Sequence, residues 1–445
     1  MIDRAIERLK QRHDAAALVA FRVVLGAIVT ISALRFLAYG WVDDLFVKPT
    51  FFFKYWGFSW VNALPASGMH ALFVAIALMG VMFAAGIAHR LVAPLLCVAF
   101  AYVQLVDVTN WLNHYYLVTL LLFLSSFMPI GRGVTSVPAW CTYLLRFQVG
   151  VVYFYAGLAK LTGDWLLHAQ PLDIWLHART DIPVIGSLFG DRTVAYAFAW
   201  GGFLFDTTVP AFLLWKRTRP FAYAILVAFH ATVGLLFPIG MFPWIMIAGA
   251  LVFFDPSWPR RLVKRPLPIL ASEPAQRPRR VFVALALAYC AFQVLVPLRT
   301  HLYGGNVLWH EQGMRFSWRV MAREKNGSIT YVVTSPKAGR TWYVSPKKYL
   351  TDRQERELSS QPDLVLQLAH HVRDDFHAKG HDDVQVRVDA IVSLNGRAGA
   401  PMIDPKIDLA SVDDGVTKAA WILPAPEGPP IHLRSRPWSG RLASR

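Results

Sequence analysis

Nine long apolar segments run through the first two thirds of the chain and limit what it can fold into. They lie at roughly 16–40, 69–88, 90–108, 113–131, 143–161, 193–215, 220–238, 239–254 and 281–298. A helix needs about 20 mainly apolar residues to cross a bilayer. The mean hydropathy is +0.37 and 55% of the residues are hydrophobic, more apolar surface than a soluble protein of this size can bury. The sequence therefore predicts an all-α polytopic membrane bundle.

The eighth segment is short and follows the seventh with almost no loop, so the pattern leaves eight or nine spans open. The distribution of positive charge favours nine. With a cytoplasmic N-terminus, sixteen Lys and Arg fall on the inner side and five on the outer side. Because cytoplasmic loops carry an excess of Lys and Arg, we expect the C-terminal part to lie outside. The first apolar run carries Arg22 and is too long for a signal peptide, so we expect it to be retained.

From about residue 299 the chain becomes charged and loses its long apolar runs. Alternating apolar residues predict strands at 316–322, 328–334, 340–346 and 384–394, with a hairpin turn at Asn326–Gly327 and a helix at 347–378. This composition predicts a small α+β extracytoplasmic domain. The predicted organisation is a cytoplasmic segment (1–15), a transmembrane domain (16–298), the extracytoplasmic domain (299–422) and a disordered tail (423–445).

Placing a polar side chain inside a membrane span costs free energy, so such residues are the first candidates for function. The predicted topology puts Asn113, His114 and Lys160 at one depth near the outer face, among aromatic residues. Each has a structural explanation when taken alone. A lysine at a span end can reach the headgroups, Asn113 and His114 can cap a helix, and His230 can bond a neighbouring helix.

Asp206, in the sixth segment, can pair with Arg146 or another cation, and Trp111 and Tyr155 can belong to an aromatic belt. Taken together, however, the polar groups indicate chemistry. Burial disfavours the ammonium form of a lysine, so Lys160 is a candidate base at neutral pH for a lipid-soluble, quinone-like substrate or a proton relay.

No other catalytic motif stands out. The sequence contains no GxSxG, HExxH, P-loop or GxGxxG pattern. His370, His371, His377 and His381 do not have the spacing of a known metal site, and the three cysteines form no CxxC. We therefore expect no metal. The net charge of +16 is not accompanied by a motif that binds in the grooves of nucleic acids, so we expect no nucleic-acid partner.

Six stretches of the sequence resemble the vitamin K-dependent γ-glutamyl carboxylase family, including its bacterial HTTM-domain members. They occur in the family's order and are WLNHYYL (111–117), VVYFYAGLAKLTGDW (151–165), FHATVGLLFPIGMF (229–242), PSWPRRLV (256–263), MRFSWRVM (314–321) and VDAIVSLNGRAGAPMIDPKIDLA (388–410). The family's base lysine corresponds to Lys160 and its functional histidine to His114. Ala159 precedes Lys160, where the animal enzymes have a second lysine.

The resemblance implies an enzyme that uses reduced vitamin K, as phylloquinol or menaquinol, with O₂ and CO₂ as co-substrates. The hydroquinone is converted to an epoxide, and this reaction drives γ-carboxylation of a peptide glutamate. Lys160 and His114 are the predicted catalytic residues. The predicted quinone-binding residues are Asn113, Trp111, Tyr155 and His230.

The chain is shorter than the animal enzymes, which favours a protein of a bacterial inner membrane with lipid, quinone and a Glu-containing peptide or protein as partners. Two alternatives remain open. One is a quinol epoxidase or oxidase that performs no carboxylation. The other is a non-catalytic membrane scaffold or lipid-binding protein.

Overall fold

The computed structural model describes residues 11–266 and 280–432, together with residue 9. Most of the described chain is helical. Its helices up to Leu298 are α1 (Ala16–Ala38), α2 (Ala66–Ala85), α3 (His89–Leu105), α4 (Asn113–Ser126), α5 (Ala139–Leu158), α6 (Gly163–His168), α7 (Leu172–His177), α8 (Arg192–Leu214), α9 (Arg219–Leu236), α10 (Phe242–Ala250), α11 (Trp258–Leu262) and α12 (Arg280–Leu298). A short ribbon, β1 (Arg12–Asp14) with β2 (Ser136–Pro138), leads into α1 and α5.

Each of the nine predicted spans contains a helix. Five helices are long and apolar enough to cross a membrane, namely α1, α2, α8, α9 and the helix that runs from Arg280 to Leu302. The apolar helices at His89–Leu105 and Phe242–Phe253 are shorter. The mostly helical architecture with apolar helices is therefore confirmed, whereas the number of spans, eight or nine, stays a prediction.

Two arginines inside the bundle are satisfied by main-chain carbonyls. Arg22 is buried in α1 and donates to the carbonyl oxygens of Ala84, at 3.1 Å, and Ile130. Arg146 on α5 donates to the carbonyl oxygens of Val252 and Phe254 at 2.8 and 2.9 Å. Both charges therefore have a structural role, and Arg146 is not the partner of Asp206.

The C-terminal part has a small four-stranded antiparallel sheet in the order β4-β3-β5-β6. Its elements are α13 (Val307–His310), β3 (Lys325–Ser335), β4 (Arg340–Val344), α14 (Asp352–Leu358), α15 (Pro362–His377), β5 (Gln385–Leu394) and β6 (Ala400–Pro401). Alternate residues of β3 and β5 are buried, as the period of two predicts. Helix α15 covers the sheet with its apolar face, including Leu364, Leu368 and Val372.

Three predictions for this part are wrong in detail. Residues 316–322 form turns instead of a strand, because Phe316 and Trp318 pack on Trp111 and Tyr116 of the bundle, with ring centroids 4.5 and 4.9 Å apart. Asn326 and Gly327 lie within β3, and the β3–β4 turn instead ends at Gly339, whose φ is +60°. The predicted helix at 347–378 is broken into α14 and α15.

Polar contacts fix the C-terminal part against the bundle. Arg397 holds Asp164 of α6 with two hydrogen bonds of 2.8 and 2.6 Å, and Asn395 donates to the same carboxylate at 2.8 Å. Burial opposes ionisation of Asp164, but these bonds outweigh burial and lower its pKa. Trp175 of α7 donates to Glu324 at 2.6 Å. The two parts therefore meet through oriented charge-assisted bonds.

Both predicted terminal segments are described only in part. Residues 423–432 of the predicted tail contact the rest of the chain, since the amide of Ile431 bonds the carbonyl of Gly396 at 3.1 Å. The ring of His432 lies 3.2 Å from the carboxylate of Asp173. Residues 433–445, and residues 1–8 and 10 of the predicted cytoplasmic segment, lie outside the described residues, as do 267–279.

Candidate functional site

Lys160, just after the C-terminal end of α5, and Asp206 on α8 form a buried ion pair. Lys160 Nζ lies 2.7 Å from Asp206 Oδ2 and donates a second hydrogen bond to the carbonyl oxygen of Ala156 at 3.0 Å. The two side chains are 7% and 8% exposed. Removing two charges from water costs several kcal/mol per ion, so a buried pair is weak evidence for stability and makes these residues candidates for function.

The pair depends on the close approach of α5 and α8. A Cβ atom at Gly157 would lie 2.5 Å from Thr207 Cγ2 and 2.9 Å from the Thr207 amide nitrogen. No side chain fits at these distances without a shift of the helices. Gly157 therefore allows the contact that brings Lys160, three residues later, against Asp206.

We expect Gly157→Ala to destabilise the protein by about 1–3 kcal/mol, because it forces a methyl group into a filled contact. The shift also separates Lys160 from Asp206. The matched control is Gly201→Ala on α8, where a Cβ atom meets nothing within 4 Å. Thermal unfolding in detergent should show a loss for Gly157→Ala alone; equal midpoints for the two variants would contradict this packing.

The ion pair lies in the wall of an apolar space of about 70 Å³, here called the inner cavity. Apart from the pair, His230 and Tyr153, its lining is mainly apolar and aromatic and includes Trp165, Trp175, Phe198, Phe229, Phe237 and Phe242. Lys160 Nζ lies 5.2 Å from the ring centre of Trp165. Val320 and Met321 of the C-terminal part complete the wall. The cavity thus combines an apolar, aromatic lining with a few polar groups, as ligand sites do.

His230 and Tyr153 are the other polar groups of this cavity. The Tyr153 hydroxyl lies 2.8 Å from His230 Nε2, and both side chains are buried. His230 Nδ1 is buried and has no hydrogen-bond partner in the part of the chain that the structure describes. Because an unpaired buried polar group costs about 1–3 kcal/mol, this nitrogen is a candidate contact for a ligand.

His114 and Asn113 line a second and larger space of about 810 Å³, here called the outer cleft. It shares Phe242, Val320 and Met321 with the inner cavity. The Phe242 ring lies between the two histidines, with centroids 6.0 Å from His114 and 5.5 Å from His230. The structure therefore brings Lys160 and His230 into one cavity and Asn113 and His114 into its neighbour.

The helix-cap explanation for Asn113 and His114 finds no support, since α4 begins without a side-chain cap. His114 is 8% exposed and has ring contacts with Tyr115 and Phe242, but no hydrogen-bond partner among the described residues. Asn113 Oδ1 is likewise buried and unpaired within the described ranges. Both groups have unused bonding capacity at the wall of the outer cleft.

The two remaining predicted site residues lie elsewhere. Trp111 packs on Phe316 and Tyr116, with centroids 4.5 and 5.4 Å apart. Tyr155 faces α12 and donates to the carbonyl oxygen of Val294 at 2.6 Å. Neither residue lines the inner cavity or the outer cleft.

Several site residues were missed or undervalued in the sequence. Asp206 was noted but interpreted as structural, although a carboxylate at membrane depth is itself a functional signal. Tyr153 and Phe242 carry no such signal, because aromatic residues are abundant in every span. Among the described residues, no group of three His, Cys, Asp or Glu side chains is arranged to hold a metal ion.

Two family models match the chain. The model described as the HTTM domain matches residues 10–258, and the model described as the vitamin K-dependent gamma-carboxylase lumenal domain matches residues 278–428. Both matched regions contribute walls to the inner cavity and the outer cleft. No solved structure matches the chain.

Proposed function

The chain belongs to the vitamin K-dependent gamma-carboxylase family, and on this premise we propose that it oxygenates a reduced vitamin K and couples this to γ-carboxylation of a peptide glutamate. The observation that carries the proposal is the buried Lys160–Asp206 pair in the wall of an apolar cavity. The desolvation of a buried ion pair can exceed the attraction between its charges, so such a pair needs an explanation other than stability.

We propose that the reduced quinone, either phylloquinol or menaquinol, binds at the inner cavity, on the chemistry of the cavity lining. Aromatic side chains suit a fused ring, and the unpaired Nδ1 of His230 is available to one of its oxygens. When bound, the quinol supplies the oxidisable ring whose reaction with O₂ yields the epoxide and the base strength needed for carboxylation by CO₂. No described cluster suits a metal, and the proposed chemistry requires none.

Lys160 and Asp206 act together as the base in this proposal. The ammonium–carboxylate pair carries no net charge, and a proton accepted by Asp206 Oδ2 leaves it with a charge of +1. In a cavity of low dielectric, this charge stabilises the anion that the proton leaves behind. Lys160 holds the charge 2.7 Å from the acceptor, with its Nζ 5.2 Å from the centre of the Trp165 ring.

His230 and Tyr153 orient the substrate. If the Tyr153 hydroxyl donates to His230 Nε2, the neutral imidazole carries its proton on Nδ1, which becomes a hydrogen-bond donor. Val320 and Met321 limit access of water from the C-terminal part. Exclusion of water strengthens each of these interactions and protects reactive groups.

His114 and Asn113 act from the outer cleft, on the far side of Phe242. We propose that His114 stabilises negative charge at the boundary between the two spaces, with Asn113 beside it. Trp111 and Tyr155, which line neither space, support the fold instead of touching the quinone. This arrangement assigns the quinone to the inner cavity and the second substrate to the outer cleft.

The proposed orientation has a cytoplasmic N-terminus and a C-terminal domain outside, in a bacterial inner membrane. It rests on the excess of Lys and Arg in the inner loops and on the description of the C-terminal match as a lumenal domain. The same orientation puts Lys160 and both cavities near the outer face.

The test is an assay of the purified protein in nanodiscs with phylloquinol or menaquinol, O₂ and bicarbonate, with and without a Glu-containing peptide. Epoxide is measured by chromatography and fixed CO₂ by isotope incorporation. Both products are expected. Epoxide without fixed CO₂, with every peptide tried, would favour the epoxidase alternative. Folded protein that forms no epoxide from either quinol would overturn the enzyme assignment and leave the scaffold.

A further inference from the structure

We propose that Arg353 and Arg356 make the outer cleft a binding site for an acidic peptide segment, and that they select substrates by the carboxylates that flank the target glutamate. The inference rests on the proposed function, because it assigns the second substrate to this cleft. It concerns binding and specificity, and involves no chemical step.

The charges that line the outer cleft are unbalanced. Its cations are Arg35, Lys48, Arg353 and Arg356, and its carboxylates are Asp44 and Asp352. Lys48 is paired with Asp44 at 2.6 Å. None of the three arginines has a salt bridge within the described residues, although Arg35 lies over the rings of Tyr39 and Trp41. An anionic ligand therefore finds free positive charge on the wall.

The two arginines of α14 are arranged as a pair. They are three residues apart, which puts them on one face of the helix. Arg353 is half-buried and donates only weakly, at 3.3 Å to Asn110 Oδ1 and 3.5 Å to the Thr109 carbonyl. Arg356 is exposed. Their guanidinium groups thus retain donors for charge-assisted bonds with carboxylates.

Helix α14 is held firmly at this position. A capping box joins Thr351 and Gln354 at its start. Gln354 also donates to Asp107 Oδ2 and to the carbonyl of Phe51, both at 2.8 Å. Because the helix is anchored to the bundle, its arginines present a preorganised site.

The cleft is continuous with the site of the proposed chemistry. Its volume of about 810 Å³ lies toward the upper end of the roughly 300–1,000 Å³ of ligand pockets. It reaches from the arginines to Asn113 and His114, and it shares the Phe242 wall with the inner cavity. A segment held by its flanking carboxylates can therefore bring one glutamate to the boundary of the quinone cavity.

A second polar space is a poorer candidate. Its lining includes Lys54, Arg299, Arg315 and Lys418, but equally Glu311, Asp363, Asp413 and Asp414. Arg315 is already paired with Asp363 at 2.5 Å. An acidic segment would therefore meet repulsion from the carboxylates of this space, whereas the outer cleft has an excess of cations.

The test measures binding of fluorescein-labelled peptides to the full chain in nanodiscs of zwitterionic lipid, by anisotropy and without quinol. One peptide has Asp and Glu residues around the target glutamate; the other has Asn and Gln there. We expect the acidic peptide to bind at least about 10-fold more tightly, and added salt to reduce the difference. The double variant Arg353→Gln/Arg356→Gln should lose most of this preference for the acidic peptide.

Arg356→Gln alone changes an exposed side chain and should remove part of the discrimination. Arg340→Gln is the matched control, since Arg340 is exposed on β4 and outside the cleft. Equal binding of both peptides, or equal losses in Arg356→Gln and Arg340→Gln, would overturn the proposal. Displacement of the acidic peptide by vesicles of anionic lipid would assign the cleft to headgroups instead. Because no quinol is present, these results are independent of epoxide formation.

Discussion

Replacing Lys160 by methionine is expected to lower the rate of quinol epoxidation by about 10²–10⁴-fold, the range that a positioned acid–base group contributes. Asp206→Asn is expected to cause a loss of the same order, because the 2.7 Å contact makes the two side chains one proton-accepting unit. The measurement is the initial rate of epoxide formation at saturating quinol, in nanodiscs and without peptide.

Stability must be separated from chemistry in this experiment. Lys160→Met leaves the buried Asp206 carboxylate without its cation, which costs about 3–5 kcal/mol. The control is Lys160→Met/Asp206→Leu, in which an apolar pair replaces the ion pair and thermal stability should return. We expect epoxidation to remain lost. A double variant that regains both stability and an epoxidation rate within about 10-fold of wild type would make the pair purely structural.

The helical part of the fold could be predicted because its signal is local. Apolar runs such as 16–40 and 193–215 correspond closely to α1 and α8. The period of two in 384–394 predicted β5 for the same reason. The number of membrane spans is harder to predict, because α4 has only 14 residues and α5 contains the polar residues Arg146 and Gln148 in its middle.

The errors in the C-terminal part came from tertiary contacts that outweigh local propensity. Asn326–Gly327 has the composition of a turn, yet β3 continues through it because β5 pairs with it along the whole length. The segment from Phe316 has the composition of a strand, but its aromatic side chains face Trp111 and Tyr116 of the bundle. These partners lie far away in the sequence, so no local sequence pattern could have indicated the contacts.

The residue types of the candidate site could be found from the sequence, but their grouping could not. Membrane depth and family resemblance both indicated Lys160 and His114. Depth alone does not tell which helix faces meet, so the pairing of Lys160 with Asp206 was missed. The Phe242 ring, which separates the two histidines, follows from the packing of α10 against α4 and α9.

His114→Leu is expected to lower epoxidation by about 10²–10³-fold, the loss seen when a donor that stabilises developing negative charge is removed. The same change should leave the unfolding midpoint unchanged or higher. His114 is buried among aromatic rings without a hydrogen-bond partner in the described part of the chain, so leucine removes an unsatisfied polar group. Activity and stability should therefore change independently.

His89→Leu is the matched control. His89 is also a buried histidine of the bundle but, unlike His114, it has hydrogen-bond partners. Its Nε2 lies 3.0 and 3.1 Å from the carbonyl oxygens of Ser125, in the last turn of α4, and Met128, just after that helix. Losing these contacts should cost about 1–3 kcal/mol, while the epoxidation rate of the folded fraction stays near wild type. If both leucine variants lose activity only in proportion to their unfolding midpoints, His114 supports the fold and the outer cleft makes no contribution to the chemistry.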